Sequence, residues 1–194
     1  MNEMEKIQVS LSKVGIEIKD IYELVNSKKT YPDAIPVLVS TLTSGIEEDN
    51  LKEGVIRALA VKEAKGKIGS ILIDEFHMTS KDKPLLRWAI GNTMEVVIGK
   101  EDLEKVIEIV LDKSNGMSRQ MFVVSLGNIK SEKSENVLIN LLDDDEVAAH
   151  ALNGLRRIRS VKALEKVKQL LNHPKPLIRK EAEKTLKKIE VKIR

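Results

Sequence analysis

The chain has no cysteine among its 194 residues. That excludes a disulfide framework, a thiolate nucleophile and a sulfur-ligated metal site, and permits a reducing compartment. Aromatic residues make up only 3%, with one tryptophan, so stacking surfaces are scarce. Five prolines leave long stretches free to stay helical. No run approaches the roughly 18 apolar residues needed to span a bilayer. Met1 to Lys13 carries Glu3, Glu5 and Lys6 among its apolar residues and lacks the apolar core of a signal peptide. The expected location is therefore cytoplasmic, with no membrane partner.

What remains is an aliphatic, strongly charged chain, 42% hydrophobic and 32% charged, as folded helical proteins are. Its formal net charge of +3 conceals a gradient. Residues 1–60 hold 7 basic and 10 acidic side chains, whereas residues 141–194 hold 14 and 8. From Arg156 onward only Glu165, Glu181, Glu183 and Glu190 oppose the bases. Such polarity is one way to attract nucleic acid to one end of a molecule.

The dominant pattern is a recurring apolar helix. Leu59, Ile90, Leu126, Leu155 and Leu186 occupy the same place in it, at spacings of 31, 36, 29 and 31 residues. Periods of this length indicate stacked helical pairs. After opening helices over Met4–Val14 and Ile18–Val25, the pairs read as follows. A helix starting near Tyr31, with Pro36 in its first turn or kinking it, is followed by Leu51–Lys65 ending at Gly66. Ile68–His77 is followed by Pro84–Ile98, Leu103–Leu111 by Met117–Ile129, Asn136–Leu142 by Glu146–Ile158, and Ala163–Leu171 by Pro176–Ile189. Short polar loops force partners antiparallel. No segment alternates as a strand would, and no flexible linker divides the array. The expected fold is all-α: a right-handed α-solenoid superhelix of about five antiparallel pairs. It forms one domain over 1–194, with 1–29 as an N-terminal helical cap and 30–190 as the repeats.

Two segments resemble HEAT repeats of the short type named after phycobilisome lyases. They are Leu141-Leu-Asp-Asp-Asp-Glu-Val through Ile158 and Leu170-Leu-Asn-His-Pro through Ile189. The family pattern runs from paired leucines through an acidic or proline turn to valine-arginine, then alanine, leucine and isoleucine. Ile178, Arg179, Ala182, Leu186 and Ile189 satisfy it. The preceding repeat keeps Val147, Ala151, Leu155 and Ile158 but has Ala148 where arginine is expected. The resemblance spans roughly residues 30–190. It implies a fold and leaves activity open, since such repeats occur in scaffolds, DNA glycosylases, lyases and hydroxylases.

The resemblance also implies that each pair's second helix lines the concave face. Aligned on the shared leucine, those helices place Arg57, Trp88, Val124, Asn153 and Lys184 in one column and Val61, Asn92, Asn128, Arg157 and Lys188 in another. Arg57, Trp88, Asn92, Asn128, Asn153 and Arg157 are the candidate binding residues, as hydrogen-bonding and stacking contacts. Two structural alternatives stand beside this: Trp88 packs between repeats, and Gly91-Asn92 and Gly127-Asn128 mark close helix packing. The expected function is a non-catalytic scaffold that holds a protein partner. Nucleic-acid binding through Arg156, Arg157, Lys184 and Lys188 is the alternative, although Lys184, Lys187, Lys188, Lys192 and Arg194 also suit a solvated cap.

Catalytic patterns are missing. His77, His150 and His173 lie far apart, and none forms the His-Glu dipeptides of iron-binding HEAT-repeat hydroxylases, so no metal or other cofactor is expected. Neither a dinucleotide turn nor a phosphate loop occurs. The Ser-x-x-Lys matches at Ser10 and Ser80 lack their companion motifs. A glycosylase-like set would use Arg87, Trp88 and Glu95. The acidic run Asp143–Glu146 is expected to cap the following helix, because the calcium-loop spacing is absent.

Overall fold

The structure is a computed structural model and describes residues 1–193; Arg194 of the proposed basic cap lies outside the described residues. They form twelve α-helices linked by turns and short 3-10 segments. Contacts divide them into two compact units, Met1–Gly99 and Lys100–Arg194.

The first unit holds α1 (Glu3–Ser12), α2 (Tyr22–Val25), α3 (Ala34–Thr43), α4 (Asp49–Ala58), α5 (Gly69–Met78) and α6 (Pro84–Val97). Asn2 and Glu5 exchange hydrogen bonds as a capping box at the start of α1. Pro36 sits in the first turn of α3, and Pro84 opens α6, so neither costs a helical hydrogen bond. Helix α3 pairs with α4 and α5 with α6, while α4 packs on α6. Of the opening helices, α1 packs on α3 and α2 on α4.

The second unit holds α7 (Leu103–Leu111), α8 (Gln120–Leu126), α9 (Glu132–Asn140), α10 (Ala148–Ile158), α11 (Leu164–Gln169) and α12 (Pro176–Ile193). Here α7 pairs with α8, α9 with α10 and α11 with α12, and α10 packs on both α8 and α12. Each core is aliphatic around one buried phenylalanine, Phe76 in the first and Phe122 in the second. Leu38, Val55, Leu72 and Val97 are buried in the first, and Val110, Leu138, Leu152 and Val167 in the second.

Three expected helices are much shorter than read, the first being that over 18–25, of which only Tyr22–Val25 is helical. The segment 51–65 does not run through to Gly66: α4 stops at Ala58, Val61 is extended, and a 3-10 turn covers Lys62–Ala64. Gly66 does take a positive φ of 70°, but its amide donates to the Val97 carbonyl rather than closing α4. The helix predicted over 117–129 begins as a 3-10 segment, Lys113–Arg119, with Gly116 at φ 54°, before α8 starts.

Among the described residues Arg159 is the one non-glycine with positive φ, at φ 55°, ψ 55°, closing α10. The amide of Ser160 then reaches back to the Leu155 carbonyl. A left-handed residue with a Cβ costs roughly 1–2 kcal/mol, and glycine avoids this at a C-terminal cap. Arg159→Gly is expected to raise stability by about 0.5–1 kcal/mol in urea unfolding, offset in part by the freer unfolded chain.

Candidate functional site

The repeat register follows from side chains that make equivalent bonds. In the first unit Arg87 is buried and its Nη1 donates to the carbonyls of Phe76 at 3.0 Å and Thr79 at 2.8 Å, tying α6 to the end of its partner α5. In the second, Arg119 is buried and donates from Nη1 to Val110 O at 3.0 Å, near the end of α7. Arg179 donates likewise to His173 O at 2.7 Å and Pro174 O at 2.9 Å. A second marker agrees: Thr93 Oγ1 donates to Ile56 O at 3.0 Å, and Thr185 Oγ1 to Leu152 O at 2.9 Å, each on the preceding second helix.

These markers align Lys52, Arg87, Arg119, Ala148 and Arg179. Seven residues on, Leu59, Met94, Leu126, Leu155 and Leu186 then form the apolar column. The second repeat is thus shifted by one helical turn from the sequence alignment, which used Ile90. Arg57, Asn92, Val124, Asn153 and Lys184 share one column, and Asn128, Arg157 and Lys188 lie in another with Val61 and Val96. Trp88 leaves the Arg57 column and becomes the counterpart of Glu53. Gly91 and Gly127, read as matching, occupy different places.

In the first unit the candidate residues converge on a polar-aromatic patch. Arg57 is held by Glu53 through Nε and Nη2, both at 2.7 Å, and its guanidinium lies 5.8 Å from the centre of the Trp88 ring. Trp88 is 41% exposed, so the ring packs partly against the neighbouring repeat through Arg57 and keeps part of its surface open to solvent. Tyr22, also partly exposed, belongs to this neighbourhood: burial raises its hydroxyl pKa first, and the Glu53 carboxylate adds to the shift. Asn92 is half-buried. Sequence reasoning missed Glu53, because the slipped register hid that it is the counterpart of Trp88, and missed Tyr22, which lies in α2 outside the repeat columns.

In the second unit Arg157 joins two of the other candidates. Its Nε donates to Asn153 Oδ1 at 3.0 Å and its Nη1 to Asn128 Oδ1 at 3.0 Å. Asn153 of α10 and Asn128 in the turn after α8 thereby hold an exposed guanidinium in place. The basic set is more neutralised than its sequence suggests. Arg156 at 2.6 Å and Lys184 at 2.5 Å share the Glu181 carboxylate, while Lys188 is exposed.

One further expectation is corrected and another narrowed. Arg87 cannot stand beside Trp88 as a surface cation, because it is buried over the Phe76 ring, 3.8 Å from its centre. The acidic run Asp143–Glu146 caps only through Asp144, whose Oδ1 accepts from the Glu146 amide at 3.1 Å in the turn leading into α10, while Val147 at the helix start makes no side-chain cap bond. The run also ties elements together: Asp143 pairs with Lys166, Asp144 and Glu146 with Arg119, and Asp145 with His173 and Lys175.

Burial works against the charge on Asp144 and Glu181, but bound cations outweigh it and hold both carboxyls below their ordinary values. For Asp144 the opposing groups are Arg119 and the Glu146 amide; for Glu181 they are Lys184 and Arg156. A depressed folded pKa contributes stability that is full above the unfolded value, near 4, and lost as pH falls through the folded one. Melting temperature is expected to decline modestly as pH falls below about 6.5, where the buried His150 ring resists the proton that the unfolded chain takes up, and to drop further below about pH 4 as these carboxylates are protonated. The drop should be smaller in Asp144→Asn/Glu181→Gln, measured by calorimetry across that range.

A family model described as HEAT repeats matches residues 136–192. No curated protein matches. Two crystal structures of engineered proteins from the Northeast Structural Genomics Consortium are similar in fold, each with a TM-score of 0.54. One is 20% identical, with 98% of both chains covered, and the other 18% identical, covering 98% of this chain and 100% of that one. The fold is all-α and of the α-solenoid class, and its last two helix pairs are the part that the HEAT-repeat model matches. No described helix is long and apolar enough to cross a membrane.

Proposed function

Taking residues 136–192 as HEAT repeats, we propose that this chain is a non-catalytic binding module that holds a protein partner on the faces of its second helices. One observation carries this reading: Trp88, the only tryptophan of an aromatic-poor chain, is 41% exposed with Arg57 and Glu53 beside it. A partly exposed indole costs solvation unless something covers it, and tryptophan, tyrosine and arginine are the residues that dominate protein–protein hot spots. The Asn128–Arg157–Asn153 cluster supports the same reading, because a guanidinium already fixed by two amides loses little entropy on docking.

The pairing of Arg156 and Lys184 with Glu181 weighs against nucleic acid, since those cations are already engaged. A protein partner held by mixed apolar and polar contacts should bind almost equally at about 50 and 200 mM salt, whereas phosphate-mediated binding would fall steeply. Trp88→Ala combined with Arg157→Glu is expected to weaken partner binding by at least about 2 kcal/mol while leaving cooperative melting intact. Titration calorimetry against the isolated partner checks this, and unchanged affinity would move the site elsewhere.

A further inference from the structure

The second unit carries a groove of about 580 Å³ that the face described above does not use. It runs along the start of three successive second helices. Met117 and Leu177, both two residues before the buried-arginine position of their repeats, line it and are 65% and 60% exposed. Between them stands the repeat in which Ala148 replaces that arginine, and there the lining is small and acidic, with Ala149, Asp145 and Glu146. His150 forms part of the wall, and its Nδ1 is buried with no hydrogen-bond partner. Burial lowers its pKa more than nearby Glu181 raises it, so the ring is neutral at pH 7.

We infer that this groove docks an extended segment of a partner protein that carries arginine or lysine between aliphatic residues. Met117 and Leu177 offer two exposed aliphatic anchors two repeats apart, one at either end of the acidic stretch, so that an extended segment laid across the groove could seat an aliphatic side chain on each. The charge selects the occupant. Carboxylates of Asp144, Asp145 and Glu146 line the groove against Lys175, with Arg119 underneath bonded to Asp144 and Glu146. Asp145 is half exposed, held by the exposed Lys175 ammonium at 3.3 Å and by His173 Nε2 at 3.0 Å, so an incoming guanidinium reaches its carboxylate by displacing the Lys175 ammonium. An acidic segment or a phosphate backbone meets repulsion at the same place.

The test is fluorescence anisotropy on the full chain with a fluorescein-labelled heptapeptide alternating leucine and arginine, and with its counterpart bearing glutamate for arginine. Saturable binding of the arginine peptide is expected. It should weaken about tenfold or more in Met117→Glu/Leu177→Glu and in Asp145→Lys, and be unchanged in Trp88→Ala/Arg157→Glu. The imidazole NMR signals of His150 should move on titration. Should the glutamate pair disturb melting, Met117→Ser/Leu177→Ser, conservative at exposed positions, replaces it. Equal affinity for the glutamate peptide, undiminished binding to the groove variants, or no saturable binding would each overturn the assignment.

Discussion

Arg119→Met is expected to lower stability by about 3 kcal/mol or more, within the range for removing one partner of a buried ion pair. The guanidinium is 1% exposed and serves four acceptors: Val110 O at 3.0 Å, Gly116 O at 3.2 Å, Asp144 at 2.8 Å and Glu146 at 2.7 Å. Methionine fills much of the volume and satisfies none of them. Asp144 and Glu146 retain access to water, with side chains 15% and 38% exposed, which keeps the loss below that of a fully buried orphan. The carbonyls of Val110 and Gly116 also lose the guanidinium. At 2–4 °C per kcal/mol for a chain of this size, melting should fall by roughly 6–12 °C. Adding Asp144→Asn and Glu146→Gln to the methionine variant should restore part of the loss, because the uncompensated charges go with the arginine. A melting temperature within about 2 °C of the parent would show that the bonds contribute nothing net.

Gly127→Ala is the second large effect. A Cβ built there lies 2.6 Å from the Cα of Gly154 and 2.7 Å from its carbonyl oxygen, against a contact optimum near 3.5–4 Å. Both obstructing atoms are backbone, so helices α8 and α10 must separate by about 1 Å. Helix α10 is not free to yield, because α12 is tied to it from the other side through Thr185 and Leu152. Overpacking of this kind costs about 1–3 kcal/mol or more. Gly154→Ala forms the control. Its Cβ meets Leu138 Cδ2 at 2.9 Å and Cδ1 at 3.0 Å, the ends of a side chain that can turn. Alanine's helix preference, about 1 kcal/mol over glycine, offsets that strain. Chemical unfolding should therefore rank Gly127→Ala far below Gly154→Ala, and equal losses would refute the backbone-contact explanation.

The five helix pairs were legible because aliphatic periodicity, early prolines and short polar turns all marked the same segments. Close packing at Gly127 was legible for the same reason, since an unforced glycine in a helix calls for a neighbour. The register of the second repeat was not. In α6 both Ile90 and Met94 are fully buried, one turn apart, so apolarity alone could not choose between them. The deciding signal was an arginine seven residues ahead of the column residue, as in Arg119–Leu126 and Arg179–Leu186. A sequence reading gives arginines to the surface, so Arg87 was misread as a companion of Trp88. The ion pairs of the acidic run were illegible for a related reason: nothing local reveals that Arg119, Lys166 and Lys175 arrive from other elements to meet it. Of the candidate site, the Arg157 cluster followed from the correct spacing of α8 and α10, whereas Tyr22 belongs to no repeat column and lay beyond any periodic argument.

The central claim is tested most directly by affinity capture with the tagged full chain from a lysate of its source, with and without nuclease, beside Trp88→Ala/Arg157→Glu. The account predicts a discrete protein that survives nuclease and is lost from the double variant, while that variant still melts cooperatively. Loss of all enriched material on nuclease treatment, or equal capture by the variant, would contradict it.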